Sequence, residues 1–419
     1  MKYLFLFFLV TLSFSTQAQS ETYLANVESG TFYSETLQME KSYQVFLPES
    51  YNYSTASIYP VVYLMDGDYN FYYQTGIVEM LSNISEKIPE VIVVGISDNG
   101  NAGYKKDCTV KTENNPEGNT ATFIKYLETE LLPKIKSQYR ASSYDVLIGH
   151  SLGGLFATNV LLQKPNLFDA YIAIDPSYWW ENNLIVATAD SLFENKEDLP
   201  ANLFVTLADT KQMGVHEFIG VLEKRFPDAE KWKFNYYKNE NHGSVGMVSV
   251  KEGLQHIFVD WELKRAEFYT LGTATKIMDY YKNLSKKYQG ITRIPPLLFS
   301  NINYYFFRKE QPEELAVIEA AVAKEFPASR DDYYAQIASF MIESEKYEAA
   351  EQLLNKSVKG NPNAYKSYDG LSKLCYATGK SDQAIESAEK ALKIAKTLKA
   401  RQWQINELTA NLTKVKRKK

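Results

Sequence analysis

Asp145-Val-Leu-Ile-Gly-His-Ser-Leu-Gly-Gly154 joins a short apolar strand pattern to the start of an amphipathic helical pattern over 152–163. Within it, Gly149-His-Ser-Leu-Gly153 is a G-x-S-x-G sequence. In that context it reads as a nucleophile elbow, in which a strained strand-to-helix turn presents the serine hydroxyl at the carboxyl edge of a sheet. Small residues flank the serine because the backbone must fold sharply there.

Around this segment, residues 28–264 alternate β-rich runs with longer amphipathic stretches. Strands are expected at 30–38, 43–47, 61–65, 91–96, 145–148, 170–174, 203–207 and 233–237. Runs such as Val61-Val-Tyr-Leu64 and Val91-Ile-Val-Val94 are continuously apolar, as expected of parallel strands covered on both faces. The first two strands read as a hairpin and the others follow a βαβ rhythm. The expected fold is α/β: the α/β-hydrolase type, three layers around a mainly parallel sheet.

The elbow serine, Ser151, needs a base and an acid. The chain has four histidines, His150, His216, His242 and His256. His150 adjoins the serine and is expected on the opposite side of the strand. His216 lies in a polar loop, and His256 lies inside a helical pattern beside Ile257 and Phe258. His242 sits in a loop just past the last strand, which suits the order serine, acid, histidine. Asp209 ends the seventh strand and is the expected acid, and Asp175, ending the sixth, is the alternative. The oxyanion donors are expected to be the backbone N–H of Leu152 and that of Gly67 or Asp68, in the loop after the third strand. Tyr178, Trp179 and Trp180 follow the sixth strand and are candidate walls of an aromatic substrate pocket.

Beyond about 266 the strand signal ends. Tyr334 and Tyr368, and Ala350 and Ala384, recur at a spacing of 34 (368 − 334 = 34; 384 − 350 = 34). This period resembles tetratricopeptide repeats, so an all-α helical-repeat domain is expected after the hydrolase domain. The expected organisation is a signal peptide at 1–18, a hydrolase domain at 19–265, a connecting helix and linker at 266–300, and helical repeats at 301–419. The N-terminus carries Lys2, an apolar run from Leu4 to Leu12, and Thr16-Gln-Ala18 at the cleavage position. It predicts an exported protein, periplasmic or secreted, without stable membrane insertion because the run is too short to span a bilayer.

The charge sum of 46 basic and 51 acidic residues is −5, which argues against a nucleic-acid partner. Two cysteines, Cys108 and Cys375, exclude a disulfide scaffold and a multi-cysteine metal site. No metal and no cofactor is expected.

The stretch from Tyr59 to Trp261 resembles the "Putative esterase" family of α/β hydrolases, which includes siderophore esterases of the enterobactin type, feruloyl esterases and S-formylglutathione hydrolases. The resemblance is carried by 59–68 (YPVVYLMDGD), 88–96 (IPEVIVVGI), 149–157 (GHSLGGLFA), 174–180 (IDPSYWW) and 242–245 (HGSV). It implies a carboxylic-ester hydrolase acting on a small-molecule ester, with Ser151 as nucleophile, His242 as base and Asp209 as acid. The chain departs from the family at Asp175, where Ser is frequent, and at Tyr104-Lys-Lys-Asp107, where Arg is frequent. The competing expectation is a non-catalytic scaffold that binds a protein partner through the helical repeats.

Overall fold

The computed structural model describes residues 26–417 except Ala229 and Thr292. The expected signal peptide therefore lies outside the described residues. Eight strands form one sheet: β1 (Val27–Ser34), β2 (Met39–Phe46), β3 (Tyr59–Leu64), β4 (Ile92–Ile96), β5 (Ala141–His150), β6 (Ala170–Ile174), β7 (Asn202–Ala208) and β8 (Trp232–Tyr237). Their order is β1-β2-β4-β3-β5-β6-β7-β8. β1 and β2 pair antiparallel, β2 joins β4 antiparallel, and every pair from β4 to β8 is parallel. All eight expected strands are present. β1 is displaced most, running 27–34 against the expected 30–38, while β2 and β5 each begin four residues early; in β5 the added residues include Ala141, which pairs with Tyr59 below a register shift in β3.

β3, β4 and β6 are buried along their whole length, which is why they read as unbroken apolar runs. The covering helices are α1 (Gly67–Glu79), α2 (Gly100–Cys108), α3 (Thr120–Tyr126), α4 (Leu132–Gln138), α5 (Leu152–Gln163), α6 (Trp180–Leu192), α7 (Val215–Arg225) and α8 (Val245–Ile257). One core lies between the sheet and the α3–α7 side, a second between the sheet and α1 and α8. Since β3 to β8 run the same way, Met65, Ser151, Asp175, Asp209 and the loop to His242 all follow carboxyl ends of strands. That edge is where α/β folds place ligands.

The rest is all helical: α9 (Arg265–Leu271), α10 (Ala274–Lys287), α11 (Pro296–Arg308), α12 (Pro312–Lys324), α13 (Arg330–Glu343), α14 (Tyr347–Gly360), α15 (Tyr365–Ala377), α16 (Ser381–Thr397) and α17 (Gln402–Arg417). Residues 34 apart take matching places. Tyr334 and Tyr368 are buried on α13 and α15, and Ala350 and Ala384 on α14 and α16. Among the described residues no helix is long and apolar enough to cross a membrane.

The helical region shares the second core. Tyr288 stacks edge-on against Tyr144 at 5.1 Å and lies 5.1 Å from Phe258, and the cluster continues through Ile302 and Ile318 to Ile337. Charge reinforces it. The buried Arg293 guanidinium pairs with Glu90 at 2.6 Å and Asp332 at 3.2 Å, and Lys366 also holds Asp332 at 2.7 Å. Burial pushes the Asp332 carboxyl up, but Lys366 and Arg293 outweigh it and hold it down at about 2. Glu86 accepts the N–H groups of Leu297 and Leu298, placing a carboxylate on the exposed amide end of α11. Arg401 joins Glu49 at 2.5 Å and Glu79 at 2.8 Å.

Glu86 and Glu90 precede β4, Glu49 follows the antiparallel β2, and Glu79 ends α1. All four mark the amino edge of the parallel strands, opposite Ser151. Arg293→Met leaves Glu90 and part of Asp332 buried without their countercharge. We expect a loss of about 3–5 kcal/mol, read as a lower urea midpoint of the full-length protein. A shift under about 0.5 kcal/mol would mean that the network contributes nothing to docking.

Candidate active site

Ser151 has φ 57° and ψ −117°, a conformation costly for a residue with a Cβ. Its neighbours enforce it. Ser151 N donates to Ile174 O at 2.9 Å, while Ser151 O accepts from Leu155 N at 3.1 Å and Ser177 N at 3.0 Å. A Cβ at Gly149 would collide with the Gly153 carbonyl, and one at Gly153 would stand 2.5 Å from the Tyr104 hydroxyl. The two glycines of the motif are therefore required by close approach.

Tyr104, on α2, is marked in the sequence only as part of a departure from the family, with no structural role read for it. Its hydroxyl donates to His150 O at 3.0 Å and accepts from Gly153 N at 2.8 Å. One phenol thus ties the last residue of β5 to the first turn of α5. It also occupies the Gly153 amide, leaving Leu152 as the candidate donor at that helix end. Gly67 begins α1, and the Gly67 and Asp68 amides precede the first bonds of that helix, which run from Tyr69 N and Asn70 N to Asp66 O. The preceding Asp66 is left-handed at φ 55°. The Asp68 carboxylate accepts from Ser97 Oγ at 2.6 Å and Asp98 N at 3.1 Å, pinning the start of α1 to the end of β4. Burial raises the Asp66 carboxyl to about 7, helped by its hydrogen bond to Asp98 and by the Asp98 and Asp68 charges.

The carboxylate beside His242 is that of Asp175, the alternative of the two, and not that of Asp209. His242 Nδ1 lies 2.6 Å from Asp175 Oδ2. The other oxygen, Oδ1, accepts from Ala208 N at 3.0 Å and Thr210 Oγ1 at 2.9 Å. Asp175 is fully buried. Burial alone pushes its carboxyl up, yet the bonds from His242, Ala208 and Thr210 together hold it below the usual carboxylate range. Asp209 is exposed and faces elsewhere, accepting from the Tyr236 hydroxyl at 3.1 Å, with its amide donating to Glu240 O. It braces the β8–α8 loop that carries His242. The reason is topological: β6 neighbours β5 directly, so the carboxylate at its end falls nearer the elbow than one on β7.

With Nδ1 donating to Asp175, His242 presents Nε2 as an acceptor. The His150 ring lies against it, centroids 4.5 Å apart and tilted 35°, so His150 does not point away from the site as expected. Burial, and then the neighbouring His242, lowers His150 to about 4, so a neutral His150 ring lies beside His242. His216 is exposed beside Phe234, and His256 packs against Phe204. Neither reaches the site.

The three aromatic candidates separate. Tyr178 is fully buried, bonded through its hydroxyl to Thr158 at 2.6 Å and packed on Phe218 at 4.6 Å. It is a core residue, not a pocket wall, because the loop turns it under the sheet edge. Trp179 is 46% exposed. Trp180 is half-buried at the start of α6, with Lys105 Nζ 5.2 Å over its ring.

The family model described as "Putative esterase" matches residues 34–288. The chain is 28% identical over 246 residues to the ferri-bacillibactin esterase BesA of Bacillus subtilis (strain 168), covering 51% of this chain and 84% of that protein. It is 28% identical over 174 residues to a siderophore triacetylfusarinine C esterase of Aspergillus fumigatus, covering 34% of this chain and 60% of that protein. An IroE-like serine hydrolase from Shewanella oneidensis superposes with a TM-score of 0.59 at 27% identity, over 70% of this chain and 98% of that one.

Replacing Tyr104 by Phe removes one hydroxyl and leaves the His150 carbonyl and the Gly153 amide without their shared partner. A loss of about 1–3 kcal/mol is expected. Urea denaturation checks it, and unchanged stability would mean that water replaces the phenol.

Proposed function

We propose, from the premise that the chain belongs to the "Putative esterase" family and is a carboxylic-ester hydrolase, that it works through a Ser151–His242–Asp175 triad on a siderophore-type ester. The observation that carries the triad is the 2.6 Å bond between His242 Nδ1 and the buried Asp175 carboxylate, beside a serine on a strained elbow. His242 Nε2 takes the Ser151 proton as Oγ attacks the ester carbonyl. Asp175 holds the ring in the required tautomer and stabilises the imidazolium. The Leu152 amide and that of Gly67 or Asp68, at two helix starts, receive the oxyanion. Expulsion of the alcohol leaves an acyl-Ser151, which water hydrolyses by the same proton path in reverse.

The siderophore class is taken from the two curated relatives, whose names specify ferri-bacillibactin and triacetylfusarinine C. Trp179 and the Lys105–Trp180 pair offer an aromatic and cationic rim suited to an anionic aryl group. Lysine lacks the bidentate fork of arginine, so recognition rests on charge and stacking. Export after cleavage near Ala18 would place the enzyme in the periplasm or outside the cell, where such esters arrive. The tetratricopeptide-like region serves in this reading as a clamp on the amino edge of the sheet. That use of its surface weighs against an inert scaffold.

Hydrolysis of p-nitrophenyl acetate and of a tri-catecholate siderophore ester by purified protein tests the reading. Ser151→Ala should abolish turnover, by on the order of 10³-fold or more. Asp175→Asn should cost about 10³- to 10⁴-fold in kcat, and Asp209→Asn far less. The reverse order for the two aspartates, or turnover by folded Ser151→Ala, would refute the triad.

A further inference from the structure

Among the described residues, the Ser151 hydroxyl has one hydrogen-bonding partner, and it is not His242. Ser151 Oγ lies 3.1 Å from Ser177 Oγ. Ser177 is 3% exposed, and its own amide donates to Ser151 O at 3.0 Å. It stands two residues after Asp175, in the loop that supplies the acid, so one short loop touches both the base and the nucleophile. No step in the proposed triad uses this second serine.

A hydroxyl pair admits two arrangements of its protons. If Ser151 donates to Ser177, its proton points away from the base and the contact is a brake. If Ser177 donates, Ser151 Oγ is an acceptor there and its own proton is free to turn toward His242 Nε2. Ser177 Oγ–H then aims at the atom where charge develops.

We propose that Ser177 is a catalytic donor to Ser151 Oγ: its hydroxyl stabilises that oxygen as it loses its proton during attack, and again as it leaves the acyl-enzyme. This rests on the esterase reading and adds a donor on the nucleophile, distinct from the oxyanion donors. At 3.1 Å the neutral contact is slack, since O–H···O bonds centre near 2.7–2.8 Å, whereas those to an anionic oxygen shorten to about 2.5–2.7 Å. The bond therefore strengthens on the way to the transition state, and only such interactions accelerate a step.

The balance is conservative. During acylation the Oγ–C bond forms, the Ser151 proton passes to His242, and the alcohol leaves with that proton. During deacylation a water proton passes to His242, the Oγ–C bond breaks, and Ser151 Oγ recovers a proton from His242. Ser177 keeps its own proton throughout.

The test uses the full-length protein, p-nitrophenyl butyrate and a fluorophosphonate that phosphonylates an activated serine. Ser177→Ala keeps the backbone bond to Ser151 O and loses only the hydroxyl. Its kcat and phosphonylation rate should each fall about ten- to hundredfold, with KM and melting temperature unchanged. Ser177→Thr restores a hydroxyl and should recover most of the loss. Ser177→Cys, a near-isosteric weak donor, should fall between and covers the case of an alanine variant that does not fold. Turnover and phosphonylation by Ser177→Ala within twofold of wild type overturn the proposal. A faster Ser177→Ala also overturns it and identifies the contact as a brake. A wild-type protein that neither hydrolyses the ester nor reacts with the fluorophosphonate overturns the esterase reading first and this inference with it, and a Ser151→Ala variant that still does both overturns the Ser151 nucleophile and this inference with it.

Discussion

The strained backbone of Ser151 is the constraint on which the rest of the carboxyl edge depends. A residue with a Cβ held at φ 57° and ψ −117° costs on the order of 1–3 kcal/mol and persists only where its surroundings over-determine it. Here β6 supplies Ile174 O, the loop after it supplies Ser177 N, and α5 supplies Leu155 N. The Tyr104 phenol closes the turn from above. The strain is shared among four elements, so the hydroxyl of residue 151 is placed by the sheet register and not by its own rotamer alone.

Burial of charge is the second organising cost. Asp175 is completely enclosed, and an enclosed carboxylate survives only with partners for both oxygens. The Ala208 amide and Thr210 hydroxyl hold one oxygen, leaving the other for His242. β7 thus contributes a carboxylate cradle where its sequence position suggested a carboxylate. Asp209, one residue beyond Ala208, is released to the surface and to Tyr236.

These facts mark how far the sequence could be read. Apolar runs and glycine spacing depend on local rules, so the parallel strands, the elbow and the loop histidine were legible. The choice between Asp175 and Asp209 was not, because both end strands at the same edge. Only the donors around each carboxylate separate them, and Thr210 and the Ala208 amide carry no sequence signal. Tyr178 read like Trp179 because three consecutive aromatics give no clue to which one the loop turns inward. Tyr104 was marked only as a departure from the family, and its contacts appear only when α2 is brought over the elbow.

The helical region was legible as helices from its 34-residue period, but its docking was not. Arg293 falls in a segment that reads as a linker, and its partners Glu90 and Asp332 lie far from it on either side in the chain. Long-range ion pairs follow no period. Their placement has a structural consequence for α1. Its far end, Glu79, is held by Arg401 of the helical region, while its near end, Gly67 and Asp68, is pinned to the end of β4 beside the elbow. A helix fixed at both ends can neither slide nor tilt freely, so the helical region steadies the start of α1 from the opposite edge of the sheet. The ion pairs that fasten the two regions through Arg293 and Arg401 lie on the amino edge, away from Ser151.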